Sequence, residues 1–149
     1  MAPYTTTGSG MIQKIDHIGV AVHSLEASIP FWRDVLGLEY SGADEVEAQG
    51  VKVAFFRCGD VHIELLEPTR PDSPIATFLA KRGEGIHHVA MGTDDLAEAR
   101  DAVAGGGVRL LSDAPLDGAH GKLISFLHPK DCGGVLLELT QRKHMDVSS

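Results

Sequence analysis

Ile15-Asp16-His17-Ile18-Gly19-Val20-Ala21-Val22 and Ile86-His87-His88-Val89-Ala90-Met91-Gly92-Thr93 are two versions of one pattern, and the fold follows from taking them together. Both alternate with the period of two that marks a strand. Ile18, Val20 and Val22 therefore share one face of the first, and Val89 and Met91 one face of the second. The opposite faces run His17-Gly19-Ala21 and His88-Ala90-Gly92, so a histidine followed by two small residues recurs at matching places. The chain is built on an internal repeat.

Each strand leads outward into a helical stretch. In the second copy Asp94 or Asp95 caps a run from Leu96 to Ala104, and Gly105-Gly106-Gly107 stops it. In the first copy Ser24 can cap a helix reaching Gly37, with Phe31, Trp32, Val35 and Leu36 as its apolar surface. Pro30 is awkward inside such a helix, at a cost of about 3 kcal/mol. A start near Ser28, with Pro30 in the first turn, is the alternative. Each copy then closes with strands: about Val51 to Cys58 and Val61 to Leu66 in the first, about Leu123 to His128 and Val135 to Thr140 in the second. Gly59-Asp60 and Pro129-Lys130-Asp131-Cys132-Gly133-Gly134 are their turns. Between the copies, Ser73 caps a third helix that has Pro74 at its first position and runs from Ile75 to Arg82.

The expected fold class is α+β: two tandem βαβββ modules whose curved mixed sheet encloses a cleft. Module one covers about 13–68, the linking helix about 73–82 and module two about 85–141, all in one domain, with tails at 1–12 and 142–149.

Two acidic residues interrupt the closing strands. Glu64 sits in Ile63-Glu64-Leu65-Leu66 and Glu138 in Leu136-Leu137-Glu138-Leu139. They lie 47 residues after His17 and 50 after His88, so they are equivalents in the repeat. A carboxylate among leucines is costly unless it is paired or binds a metal. A lone strand histidine is ordinarily a packed, hydrogen-bonded residue, and a lone strand glutamate ordinarily faces water. Repetition argues otherwise here, because each His and each Glu has a counterpart. Two neutral imidazoles and two carboxylates balance a divalent ion, and such mixed donors suit Co²⁺, Ni²⁺, Zn²⁺ or Mn²⁺. The expected ligands are His17, Glu64, His88 and Glu138, with positions left for water or substrate. By alternation His87 points to the other face and is structural, whereas His62 shares the face of Glu64 as a weaker candidate.

Composition narrows the function classes. The chain has 149 residues, 43% hydrophobic and 23% charged, enough for a packed core. No apolar run approaches the ~20 residues of a membrane span, and the Thr/Gly/Ser-rich first ten residues carry neither a secretory nor a transit pattern. A net charge of -8 argues against a nucleic-acid partner. Cys58 and Cys132 are expected as reduced thiols of a cytoplasmic protein. Neither sits in a nucleophile motif, and no phosphate-cradling loop or dinucleotide fingerprint is present.

With the repeat and its His/Glu pairs in place, the sequence resembles the vicinal oxygen chelate superfamily, which includes glyoxalase (lactoylglutathione lyase), extradiol dioxygenases and methylmalonyl-CoA epimerase. The resemblance to the epimerase family is closer and covers about 14–141. It includes Asp16-His17-Ile18-Gly19-Val20-Ala21-Val22, Glu64-Leu65-Leu66-Glu67-Pro68, Asp72-Ser73-Pro74-Ile75-Ala76 and Gly85-Ile86-His87-His88-Val89. The stretch from Phe126 through His128-Pro129-Lys130-Asp131 to Val135, ending in Glu138-Leu139, is the most particular to that family.

That resemblance implies epimerisation of an acyl-CoA thioester by α-proton removal and return, with a divalent ion (Co²⁺ first, then Zn²⁺, Ni²⁺ or Mn²⁺) and a homodimer. It makes His17, Glu64, His88 and Glu138 the metal ligands and Glu138 one catalytic base. Some members carry glutamine at the place of Glu64 and a separate basic glutamate three residues after a Gln-Gly pair. Here Gln49-Gly50 is followed at that distance by Val53, so Glu64 is the candidate second base, with His120 as the lesser alternative. His120, Lys122 and Lys130 are candidates for substrate binding. Lys81, Arg82, Arg142 and Lys143 join the two lysines as a patch for the CoA phosphates. A glyoxalase acting on a glutathione hemithioacetal is the nearest rival. A metal-free drug-sequestering protein is a more distant one, disfavoured by only 5% aromatics.

Overall fold

A computed structural model describes residues 11–142; most of the two expected tails, and Lys143 with them, lie outside the described residues. The first half contains β1 (Lys14–Ala21), α1 (Leu25–Pro30), β2 (Glu39–Val46), β3 (Val51–Cys58) and β4 (Val61–Pro68). After the linking helix α2 (Pro74–Arg82) the second half repeats the order with β5 (Gly85–Gly92), α3 (Leu96–Gly105), β6 (Leu116–Asp117), β7 (Lys122–Phe126) and β8 (Leu137–Arg142). All eight strands form one sheet in the order β2-β3-β4-β1-β5-β8-β7-β6. The order reads alike from both edges, with β1 and β5 antiparallel at the centre. β1 is flanked by parallel β4, and β5 by parallel β8.

Local signals account for most boundaries. The Ser73 hydroxyl accepts from the Ile75 amide with Pro74 at the first helical position, and Asp95 accepts from the Glu98 amide at the start of α3. The first helix is capped and stopped where the first alternative expects, at Ser24 and before Gly37, and it absorbs its proline by changing its turn. Ser24 caps it by accepting from the Ala27 amide, and α1 ends at Pro30. The chain then widens into a π turn over Phe31–Val35, closed by Leu36 N–H donating to the Phe31 carbonyl at 3.0 Å. A proline without an N–H favours such a change of hydrogen-bond spacing.

Side-chain alternation sorts the core into layers. Val22, Leu25, Ala54, Phe56 and Leu65 pack on the convex side beneath α1, with Trp32 and Ile63. Leu96, Ala99, Leu127 and Leu139 make the equivalent layer beneath α3. Truncating a fully buried member such as Leu65 or Leu96 to alanine costs about 2–5 kcal/mol. The concave side of the first half holds Ala21, Val51, Val53, Phe55 and Leu66 against Ile75 and Leu79 of α2. On β4 and β8 alike, Leu65 and Leu139 beside the glutamates therefore face outward, and the glutamates face the concavity.

Two register slips interrupt the central β1–β5 pair. Ile15 pairs with Met91 and His17 with Ala90, so Asp16 is skipped; Gly19 pairs with His88 and Val20 with Ile86, so His87 is skipped. Each is a one-residue bulge that breaks strict alternation. Each lies immediately before one of the two repeat histidines.

Candidate active site

His17, Glu64, His88 and Glu138 line one concave cleft of about 220 Å³, together with Val51, Val53, Leu66, Ile75, Lys122 and Phe126. Each of the four is no more than 6% exposed. Neighbouring strands bring them there, since β1 lies between β4 and β5, and β5 lies beside β8. The His17 and His88 Nε2 atoms are 3.1 Å apart. Glu138 Oε2 lies 3.4 Å from His17 Nε2, and Glu138 Oε1 lies 3.5 Å from His88 Nε2. Glu64 Oε2 instead stands 3.3 Å from His17 Nδ1, at the other edge of the ring.

This arrangement fits a metal ion on three observations. One ligand atom from each of His17, His88 and Glu138 lies within 4.8 Å of the others. Nitrogens each about 2.1 Å from one ion, and at right angles across it, lie about 3.0 Å apart, close to the spacing of the two Nε2 atoms. Glu138 Oε2 is buried without a hydrogen-bond partner among the described residues, a costly state that a cation would relieve. Asp16, His17 and Glu64 form a second acidic group, but Lys122 Nζ already sits 2.8 Å from Asp16 Oδ1 and neutralises it.

Backbone placement makes room for the rings. A Cβ on Gly19 would come within 2.3 Å of His88 Cε1, so only glycine lets that imidazole lie against β1. The equivalent small residue in the second half is Ala90, fully buried and paired with both His17 and Glu138.

Burial and mutual repulsion set the electrostatics. Burial pushes the Glu138 carboxyl up to about 7; Glu64 adds to the shift and His17 opposes it. Burial also raises Glu64, against the pull of His17 and Lys122. For His17, burial disfavours the cation, but the Asp16 hydrogen bond and the charges of Glu64 and Glu138 outweigh it and raise the pKa. His88 falls well below its ordinary value, through burial and then the neighbouring His17 and His87. Without an ion, the cleft holds two carboxyls that resist ionising and one imidazole that resists releasing its proton.

Two cleft features depart from simple alternation. His87 does not face away: it lines the same cleft, with its Nδ1 3.0 Å from His88 Nδ1 and its ring edge-on to Phe78. Asp16, for which alternation implies no role, accepts from His17 Nδ1 at 2.7 Å. The bulges cause both departures by turning two successive residues toward one side. The only signal in the sequence is the pair Asp16-His17 matched with His87-His88, which periodicity cannot decode.

The remaining candidates are dispersed. Lys122 lines the cleft but is engaged by Asp16. His120 is exposed, in a left-handed backbone conformation (φ 57°), and stacks on Phe55 at 4.1 Å, beside the cleft residues Gly118 and Ala119. Lys130 is exposed in the turn between β7 and β8 and does not line the cleft. In that turn Asp131 accepts from the Arg109 backbone and guanidinium at 2.9–3.1 Å, so His128-Pro129-Lys130-Asp131 works as a clasp on the preceding segment. His62 lies opposite His17 in the β1–β4 register but is not part of the cleft wall. Lys81 and Arg82 close α2, with Arg82 over the Phe78 ring, and Arg142 ends β8. Val53 is buried in the cleft wall, where it offers no base.

The pattern of the Glyoxalase/Bleomycin resistance protein/Dioxygenase superfamily matches residues 16–126. The mouse mitochondrial methylmalonyl-CoA epimerase is 45% identical over 129 residues, spanning 86% of this chain and 72% of that protein. The ethylmalonyl-CoA/methylmalonyl-CoA epimerase of Cereibacter sphaeroides is 43% identical over 133 residues, 88% of this chain and 99% of that one. This chain belongs to the methylmalonyl-CoA epimerase family. A solved epimerase in complex with methylmalonyl-CoA and NH4+ superposes with a TM-score of 0.86 at 42% identity, covering 91% of this chain and 98% of that one. A probable lactoylglutathione lyase of Vibrio cholerae stands further off, at 28% identity. The curled mixed sheet with three helices is thus the epimerase family's vicinal oxygen chelate fold.

Proposed function

We propose that this protein interconverts the (R) and (S) forms of methylmalonyl-CoA. The observation that carries the proposal is that two buried carboxyls, Glu64 and Glu138, meet His17 at its two different ring nitrogens, deep in one cleft. Epimerisation removes the proton between two carbonyl carbons and returns it to the opposite face, which is most simply done by two acid–base groups on either side. Glu138 is offered as one of these groups and Glu64 as the other.

His17, His88 and Glu138 would hold a divalent ion; Glu64, the fourth expected ligand, stands at the Nδ1 edge of the His17 ring and would have to swing across it to join them. The donors suit Co²⁺, our working ion, and also Zn²⁺, Ni²⁺ or Mn²⁺. Such an ion would supply Lewis-acid stabilisation of the negative charge that develops as the α-proton leaves. The apolar wall of Val51, Val53, Leu66 and Ile75 excludes water and packs against the acyl substituent. Lys122 from the cleft wall and His120 beside it are offered as substrate contacts, with Lys130, outside the wall, as a contact for the CoA portion. Among the described residues no helix is long and apolar enough to cross a membrane. A cytoplasmic homodimer with no nucleic-acid partner completes the proposal, supported by the family resemblance and the charge of -8.

The test follows the α-proton of methylmalonyl-CoA by NMR in D₂O, with metal-stripped protein before and after Co²⁺ addition. Metal-dependent exchange with interconversion of the epimers is expected. A folded, metal-loaded protein that exchanges nothing would sink the epimerase and turn attention to glutathione hemithioacetals.

A further inference from the structure

We infer that Asp16, clamped by Lys122, is a positioning residue that fixes the His17 ring with Nδ1 protonated and the Nε2 lone pair aimed at His88 and Glu138. The inference rests on the metal site proposed above. Its starting point is the skipped residue in the β1–β5 ladder. In a regular strand Asp16 would point away from His17; the bulge instead leaves it 7% exposed and beside the ring.

A neutral imidazole has one donor and one acceptor nitrogen. Asp16 Oδ1 lies 2.7 Å from His17 Nδ1, and a carboxylate can only accept, so the ring proton belongs on Nδ1. Nε2 is left with its lone pair, facing His88 Nε2 at 3.1 Å. A carboxylate behind a ligand histidine both orients the ring and strengthens it as a donor. Lys122 Nζ, from β7 of the other half, binds the same Oδ1 at 2.8 Å. That ammonium holds Asp16 in place and makes it a poor ligand, so its contribution passes through His17.

The second half supplies the contrast. His87 occupies the equivalent bulge, 3.0 Å from His88 Nδ1. Where the first histidine has an anionic partner, the second has an imidazole, which orients the ring without adding charge. The two repeat histidines are therefore unequal donors despite their matching positions.

The experiment compares Asp16→Ala, Asp16→Asn and His87→Ala with the wild type and with His88→Ala as a ligand-loss marker. Two quantities are read: the ¹⁵N shifts of the His17 ring in metal-free protein, at a pH where the ring is neutral, and Co²⁺ affinity by competition with a chelating dye. The wild type should show the Nδ1–H tautomer. In D16A only the more distant Glu64 Oε2, 3.3 Å from Nδ1, is left to accept, so the tautomer should mix and affinity should fall about 10–100-fold, more than in H87A. In D16N the amide oxygen still accepts from Nδ1–H, so the tautomer should persist with an intermediate affinity; this variant also decides the matter if D16A does not fold. An unchanged tautomer in folded D16A, or D16N equal to wild type in affinity, overturns the inference. Equal Co²⁺ binding by wild type and H88A would instead overturn the metal site, while the tautomer still reports on Asp16.

Discussion

The two halves of the chain agree closely near the central pair of strands and diverge toward the edges. At the centre, β1 and β5 each carry a bulge and then a histidine, and β4 and β8 each present an inward glutamate. At the rim, β2 has eight residues whereas β6 has two. The helix of the first half is a six-residue α segment running into a π turn, and that of the second is ten regular residues. Chemistry constrains the middle, where four side chains must converge within a few ångströms. The rim only has to close the sheet, and strands of eight and of two residues both do so.

The sharpest way to break the symmetry is to remove one proposed base at a time. Glu138→Gln should lower turnover about 10²–10⁴-fold, and Glu64→Gln by at least about 10². If the two act on opposite faces, each variant should retain α-proton exchange with solvent from one epimer only, and from different epimers. Near-normal epimerisation by E64Q would leave the first half without a catalytic part.

The small residues flanking the histidines should separate the halves next. Gly19→Ala forces the His88 ring to move and is expected to weaken metal binding by at least about tenfold, on the scale of losing a ligand's support. Ala90→Gly opens no clash and should cost only about 0.5–1 kcal/mol of stability in a thermal melt.

A third comparison sets the metal-stripped protein against the loaded one across pH. Glu138 keeps its proton up to about 7 when folded but loses it near 4.5 when unfolded. Between those values the folded state binds more protons, so stability must fall as pH rises. His17, raised when folded, acts in the same direction from about its ordinary value of 6.5 upward, since its contribution is present at lower pH and lost on deprotonation. His87 and His88, both lowered when folded, act in the opposite direction below about 6.5, so melting in chelator should shift downward from about pH 6.5 to pH 8. E138Q should flatten the slope, and Co²⁺ should reverse it; a flat wild-type profile would contradict the buried charges described.

A smaller effect probes packing present only in the second half. Arg100 of α3 is buried, donating to the Ser125 hydroxyl at 2.6 Å and to the Ser112 carbonyl at 3.0 Å. Ser125→Ala leaves one of those donors without an acceptor and should cost about 1–3 kcal/mol by denaturant titration, with metal affinity unchanged.

The sequence makes some of this architecture plain and hides the rest for identifiable reasons. Alternation and capping residues place β1, β3, β4, β5, α2 and α3 within about two residues of their observed ends. The inward glutamates are legible because a charge set among leucines must be paired or ligated to be tolerated. β2 is hard to locate because Glu39–Val46 is charged, interrupted by Gly42 and largely exposed at an edge. The bulges are invisible because a one-residue slip inverts side-chain parity without any compositional mark. That is why alternation puts His87 on the wrong face, and why it draws no notice to Asp16 although that residue touches a repeat histidine. The π turn after Pro30 is hidden for a related reason: proline announces a fault in the helix but not its repair.

The side-by-side placement of β1 and β5 also bears on how the site assembles. The residues converging on the cleft come from both halves, yet one polypeptide contributes them all, tied through α2. Their meeting is unimolecular, with an effective concentration set by the chain itself. Dilution therefore does not by itself separate the two halves that carry these side chains.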